Sequence, residues 1–211
     1  MVIPALLTDK RDVLLSMLEL CKTFTDYVQI DIMDGDFVPS KSVTLDDISG
    51  MDFPIGTEAH LMVNNPIPWI AVFKKAGTKK IFFHYEAECD HNEVIGLIEA
   101  AGMQAGLVFN PGTDFLLCES LIRKVGSVLF MSVNPGFYGA PFIPEVLDKI
   151  KNFKIKYPDK SISIDGGVKS DNFVDIALAG VSDICIGSAL IKAIDPAAAF
   201  VKFTKLFQSI K

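Results

Sequence analysis

QIDIMDGDF, residues 29–37, reads as a buried strand that ends in a burst of acid. The apolar run suits a strand, yet Asp31 stands inside it rather than after it, and Gln29, two residues back, shares its face. A carboxylate buried without a partner costs several kcal/mol. Asp31 must therefore be hydrogen-bonded, paired, bound to a metal or protonated.

Short β-rich runs of this kind recur at nearly regular intervals, at residues 2–7, 27–32, 57–62, 80–84, 104–109, 128–133, 161–165 and 183–187. Between them, residues 11–24, 66–76, 93–101, 114–124, 143–157, 169–179 and 196–210 space their apolar side chains at three and four, as amphipathic helices do. Residues 40–51 are short, punctuated by Asp and Gly, and show no clear period. Near-continuous apolar strands alternating with amphipathic helices imply a parallel sheet covered by helices, and about eight such units match the α/β class and a (β/α)8 TIM barrel. An open doubly wound sheet is the alternative, but no Gly-x-Gly-x-x-Gly follows the first strand. No linker or shift of composition divides the chain, so residues 1–211 are expected to form one barrel domain. The last helix carries Phe200, Phe203, Leu206 and Phe207 on one side and is expected to close the barrel rather than to anchor in a membrane.

Half of the 211 residues (50%) are hydrophobic, enough for a large core. No apolar run approaches the roughly 18–20 residues of a membrane span, and the first residues lack the basic region of a signal peptide. With a net charge of −6 and no basic block interleaved with aromatics, nucleic acid is not an expected partner. Cys21, Cys89, Cys118 and Cys185 lie far apart with no Cys-x-x-Cys pair, as reduced core thiols of a cytoplasmic protein would.

Active sites of (β/α)8 barrels lie at the C-terminal ends of the strands. By position, the second strand carries Gln29 and Asp31, the third carries His60, the fourth ends in His84 and the seventh in Asp165. A lone strand-end Asp is more often a turn or cap residue, and a lone buried His a satisfied core group. Together at one mouth, two carboxylates, an imidazole and an amide point to a site. The second and seventh strands stand three places apart round the ring, so their carboxylates could flank a small substrate from nearly opposite sides. That arrangement suits removing a proton from one face of a carbon and returning one to the other.

Glycine clusters follow the late strands: NPGFYG at 134–139, Gly166-Gly167, and Gly187-Ser188. Loops after strands seven and eight, with helix N-termini, form the usual phosphate cradle of this fold, because bare backbone N–H groups approach the anion there. Met33, Met62 and Met131 also sit at strand ends, where together they could form an apolar, water-excluding wall.

DIMDGDFVP (31–39), AHLM (59–62), MSVNPGF (131–137), IDGGV (164–168) and IGSA (186–189), in that order, make the chain resemble the ribulose-phosphate 3-epimerase family from residue 4 to about residue 192. The resemblance implies interconversion of ribulose 5-phosphate and xylulose 5-phosphate by inversion at C3. It implies Asp31 and Asp165 as the acid/base pair, a divalent metal cation held by both with His60, and His60 in contact with substrate. Gly136, Phe137, Tyr138, Gly139, Gly166, Gly167, Gly187 and Ser188 would hold the phosphate, and self-association into a homo-oligomer is implied as well. Several positions depart from the family pattern. Gln29 stands where a metal-binding His is usual and Ala5 where a substrate-contacting Ser is. Tyr138 and Ala140 replace a Gly and a Gln, Asp36 a His, and Ser40 an Asn. Gln29 offers only a neutral carbonyl oxygen, which tilts preference from zinc or iron towards manganese or magnesium.

The leading expectation is thus an epimerase of a ketose phosphate. A barrel that binds sugar phosphates without turnover is the alternative from a different class. A decarboxylase or aldol-type enzyme is disfavoured: Asp31-x-Met33-x-x-Asp36 mimics an Asp-x-Lys-x-x-Asp spacing, but Met replaces the lysine that such chemistry needs.

Overall fold

A computed structural model describes residues 1–136 and 139–210. Its strands are β1 (Val2–Leu6), β2 (Tyr27–Met33), β3 (Gly56–Met62), β4 (Lys80–His84), β5 (Gln104–Phe109), β6 (Ser127–Met131), β7 (Ser161–Asp165) and β8 (Asp183–Ile186). All pair in parallel and in chain order, and β8 returns to β1, so the sheet is a closed barrel. Helices α1 (Arg11–Cys21), α2 (Leu45–Ile48), α3 (Ile67–Lys75), α4 (His91–Ala100), α5 (Glu119–Ile122), α6 (Glu145–Lys156), α7 (Phe173–Leu178), α8 (Ser188–Ile191) and α9 (Pro196–Ile210) lie between or after them. This is the (β/α)8 barrel that the alternation of runs predicts.

Strand parity sorts the side chains into two layers. Along β2, Val28, Ile30 and Ile32 join the main core with helix residues such as Leu14, Phe73 and Phe153. The intervening Gln29 and Asp31 face inward, where Asp31 meets His60 on the neighbouring β3 and Gln29 reaches across the barrel to Asp165 on β7. On β3, Glu58 shares the inward face with His60 two residues nearer the mouth; it is buried against Lys80 Nζ (3.1 Å) and the Tyr27 hydroxyl (3.3 Å). Burial pushes the Glu58 carboxyl up, against the pull of Lys80.

Several boundaries differ from the sequence expectation. Residues 114–124 are not one helix but a 3-10 turn, Phe115–Cys118, followed by α5. Asp114 accepts from the Leu116 N–H, which tightens the first turn, and Cys118, at φ −114° and ψ 14°, breaks the ladder. Within residues 40–51, α2 forms under a reciprocal cap between Thr44 and Asp47. Residues 169–179 become helical only from Phe173, because Asn172 Oδ1 takes the Lys169 N–H into a turn. The strand expected to 133 ends at Met131; the Ser132 hydroxyl turns to the carbonyls of Asp165 (2.9 Å) and Gly166 (2.6 Å). Helix α8 was not anticipated. Phe203 and Phe207 of α9 are buried against Phe173 of α7, as the apolar side of the last helix implies. Among the described residues, no helix is long and apolar enough to cross a membrane, and Cys21, Cys89, Cys118 and Cys185 are all free thiols.

Candidate active site

β2 and β3 pair with Asp31 directly beside His60, and Asp165 ends β7 beside Met131 and Cys185. His60 Nδ1 lies 3.1 Å from Asp31 Oδ1 and 3.4 Å from Asp165 Oδ2. The Gln29 amide nitrogen donates to both carboxylates, at 2.7 Å to Asp31 and 2.6 Å to Asp165, while its oxygen accepts from the Cys185 thiol at 3.1 Å. Gln29, Asp31, His60 and Asp165 therefore form one buried cluster.

The electrostatics follow from crowding two acids in a dry place. Burial, then the neighbouring Asp165, push the Asp31 carboxyl up; the His60 and Gln29 hydrogen bonds act the other way. Burial alone would depress His60, but its bonds to Asp165 and Asp31 and their charges outweigh it and raise the imidazole to about 9. Behind it, His84 Nε2 lies 3.0 Å from His60 Nε2, and His84 Nδ1 lies 3.2 Å from Glu86 Oε2. His84 is held down to about 4, chiefly by burial.

These side chains open into a cavity of about 170 Å³ at the C-terminal mouth, lined by Ala5, Asp31, Met33, His60, Met62, Met131 and Asp165, and by Gly136, Gly139, Gly166, Gly167, Gly187 and Ser188. Lys169 and Lys192 reach it as well. Of the anticipated positions, Gln29 lies behind the lining, and Phe137 and Tyr138 fall outside the described residues. Gly166 and Gly167 adopt positive φ (112° and 62°), and a Cβ on Gly166 would stand 2.6 Å from Val133, so only bare backbone passes there. The remaining acids of the opening stretch have local work. Asp34 accepts from the backbone N–H groups of Asp36, Phe37 and Asn64, and Asp36 accepts from the Asn64 amide. The Ser40 hydroxyl ties this loop to the Gly136 carbonyl at 2.5 Å.

Sequence reading placed His84 at the mouth but missed its partner Glu86, which lies past the strand with no period to mark it. It also read Cys185 only as a core thiol, whereas Cys185 lines the cavity, and it gave Ser132 no part. Parity could have found Cys185, two residues after Asp183 on the inward face of β8.

One donor atom each from Asp31, His60 and Asp165, all buried, lie within 4.8 Å of one another. Two hard oxygens and an imidazole nitrogen fit a divalent cation. Rotation of the Gln29 amide would exchange its nitrogen for its oxygen towards the same space.

A closed parallel barrel with two carboxylates and an imidazole clustered at its C-terminal mouth has the architecture of a (β/α)8 enzyme, whose active sites lie at that end. Residues 2–191 match the model of the ribulose-phosphate 3 epimerase family. The ribulose-phosphate 3-epimerase of Mycobacterium bovis is 37% identical over 183 residues, covering 82% of this chain and 79% of that protein. The protein of that name from Aquifex aeolicus is 34% identical over 192 residues, covering 87% and 86%. The chain belongs to the ribulose-phosphate 3-epimerase family, and is thus an isomerase of the epimerase type that acts on carbohydrates. Among solved structures, 3-hexulose-6-phosphate synthase from Salmonella typhimurium superposes with a TM-score of 0.73 at 16% identity, covering 100% of this chain and 99% of that one. A mutant tryptophan synthase α-subunit from Pyrococcus furiosus gives 0.67 at 18%, covering 99% and 96%. At such identities these two likenesses concern the fold alone.

Proposed function

We propose that the chain interconverts ribulose 5-phosphate and xylulose 5-phosphate by inverting C3, with Asp31 and Asp165 as the acid/base pair. The observation that carries this reading is the bracketing of one small space by the two carboxylates, which both bond to Gln29 and both face His60 Nδ1. The C3 proton of the substrate is acidic because C3 is α to the ketone. One carboxylate takes that proton, an enediolate forms, and the other carboxyl returns a proton to the opposite face. Such a pair must start with one proton between its members, and the upward push on Asp31 beside Asp165 favours that state.

A divalent cation held by Asp31, His60 and Asp165 would supply positive charge beside the oxygens that become negative. Ala5, Met33, Met62 and Met131 would keep water from the intermediate, and His60 would also meet the substrate. The phosphate would lie on Gly136, Gly139, Gly166, Gly167, Gly187 and Ser188. Their support is the usual phosphate position of this fold, the loops after β7 and β8 with a short extra helix, here α8.

The test is turnover in deuterated water, with Mn²⁺, Zn²⁺ or Fe²⁺ and without. Ribulose 5-phosphate is expected to yield xylulose 5-phosphate carrying one deuterium at C3. No product from any ketose phosphate, or product without deuterium, would overturn the proposal.

A further inference from the structure

Glu86, beyond the end of β4, is not among the residues that line the cavity, yet it is joined to His60 through His84. Its two oxygens have different partners. Oε1 accepts from the Asn110 backbone N–H at 2.9 Å and from the Thr113 hydroxyl, and Oε2 faces His84 Nδ1 at 3.2 Å. Burial acts to raise Glu86, but the hydrogen bonds from His84, Thr113 and Asn110 outweigh it and hold the carboxyl below its ordinary value. An ionised carboxylate can only accept, so the single proton of neutral His84 must sit on Nδ1. His84 Nε2 is then a lone pair. It can be met at 3.0 Å only by an N–H, so His60 must carry a proton on Nε2.

We propose that Glu86, acting through His84, is a positioning residue that holds a proton on His60 Nε2, so that Nδ1, the nitrogen facing Asp31 and Asp165, is the atom that serves a divalent cation. The inference rests on the metal reading given above for these three residues. It assigns a role to a side chain that is not part of the donor set, and fixing of this kind is how outer partners commonly orient a ligating histidine.

The chemistry of an amide supplies the test. In Glu86→Gln, the Asn110 and Thr113 donors hold the amide oxygen on their side, so the NH2 replaces Oε2 and donates to His84 Nδ1. The His84 tautomer reverses, and its Nε2–H then takes the His60 Nε2 lone pair, so that the one proton of neutral His60 is confined to Nδ1, the atom a cation needs. Glu86→Ala merely removes the acceptor and leaves the tautomer of His84 unforced. Long-range ¹H–¹⁵N spectra of the metal-free proteins are expected to show Nδ1–H on His84 in the wild type and Nε2–H in Glu86→Gln. The affinity for Mn²⁺ alone, read by competition with a chelator, is expected to fall about 10–100-fold in Glu86→Gln and less in Glu86→Ala. A purely structural role would give the opposite order, since Gln is the closer match in shape.

The proposal is overturned by Nε2–H on His84 in the wild type, by wild-type protein that binds no Mn²⁺, or by a Glu86→Gln variant of unchanged tautomer or affinity. Wild-type protein with the expected tautomers and Mn²⁺ binding, but no turnover of ketose phosphates, would refute the epimerase reading and leave this one standing.

Discussion

Gln29 is the one residue of the buried acid–imidazole cluster that departs from the pattern of the family the chain resembles. Its NH2 donates to both acids, which offsets part of their mutual repulsion with a neutral group. An imidazole at this position would bring a nitrogen donor to the cation in place of a carbonyl oxygen. The variant Gln29→His is therefore expected to tighten Zn²⁺ and Mn²⁺ binding by about tenfold or more, each tenfold being about 1.4 kcal/mol, as measured by titration against a fluorescent chelator. Unchanged affinities for both ions would show that position 29 does not reach the cation. At this scale the sequence was legible wherever polar residues interrupt an apolar strand. Gln29, Asp31, His60 and Asp165 stand out against their neighbours, and parity turns them inward. Glu86 does not stand out, because an acid in a loop looks like any solvated residue until Asn110 and Thr113 are seen to hold it.

At the scale of elements, long apolar periods were readable and short segments were not. Residues 196–210 carry an unbroken period and fold as α9 over those very residues. Residues 114–124 have a similar apolar content, but the Asp114 side chain competes for the Leu116 N–H and splits the segment. Helix α2 depends on its cap, and α8 is a single turn whose apolar residues could equally belong to a loop. Helix α9 should accordingly carry measurable energy. Phe203 is buried with its ring 4.9 Å from that of Phe173. Phe203→Ala is expected to cost about 3–5 kcal/mol in urea-induced unfolding. A loss below about 1 kcal/mol, the level of a surface change, would mean that α9 does not share the core.

For the whole molecule, the fold was legible because the strands repeat one demand, mostly apolar residues on both faces, with the chemistry-bearing polar ones gathered towards the mouth. Glu58, like Thr57, Ser127 and Ser163, is buried short of the strand ends; it stands beside Gln29 and is paired with Lys80 on the next strand, and no local pattern distinguishes it from the acids that line the cavity. Burying so much of the chain also sets a limit at high pH. Burial pushes the thiols of Cys21 and Cys118 from 9.0 up to about 11. Folded protein keeps these protons where unfolded chain releases them, so the two thiols support folding fully below pH 9 and lose that support as pH rises to about 11. The melting temperature is expected to fall across this window, and to fall less in Cys21→Ala/Cys118→Ala, by calorimetry at half-unit steps. Identical slopes for the two proteins would remove the thiols from the account.

The pairing of β2 with β3 runs unbroken from Tyr27↔Gly56 to Met33↔Met62 and contains Asp31↔His60. Because neighbours along a strand point to opposite sides, an in-frame loss of one codon within β2 would send the acid out among the helices and bring isoleucines to the opening. The greasy residues on the outside of the wall thus act as a proofreader for the charged ones within: a misaligned chain forfeits its interior packing before it can display a damaged centre.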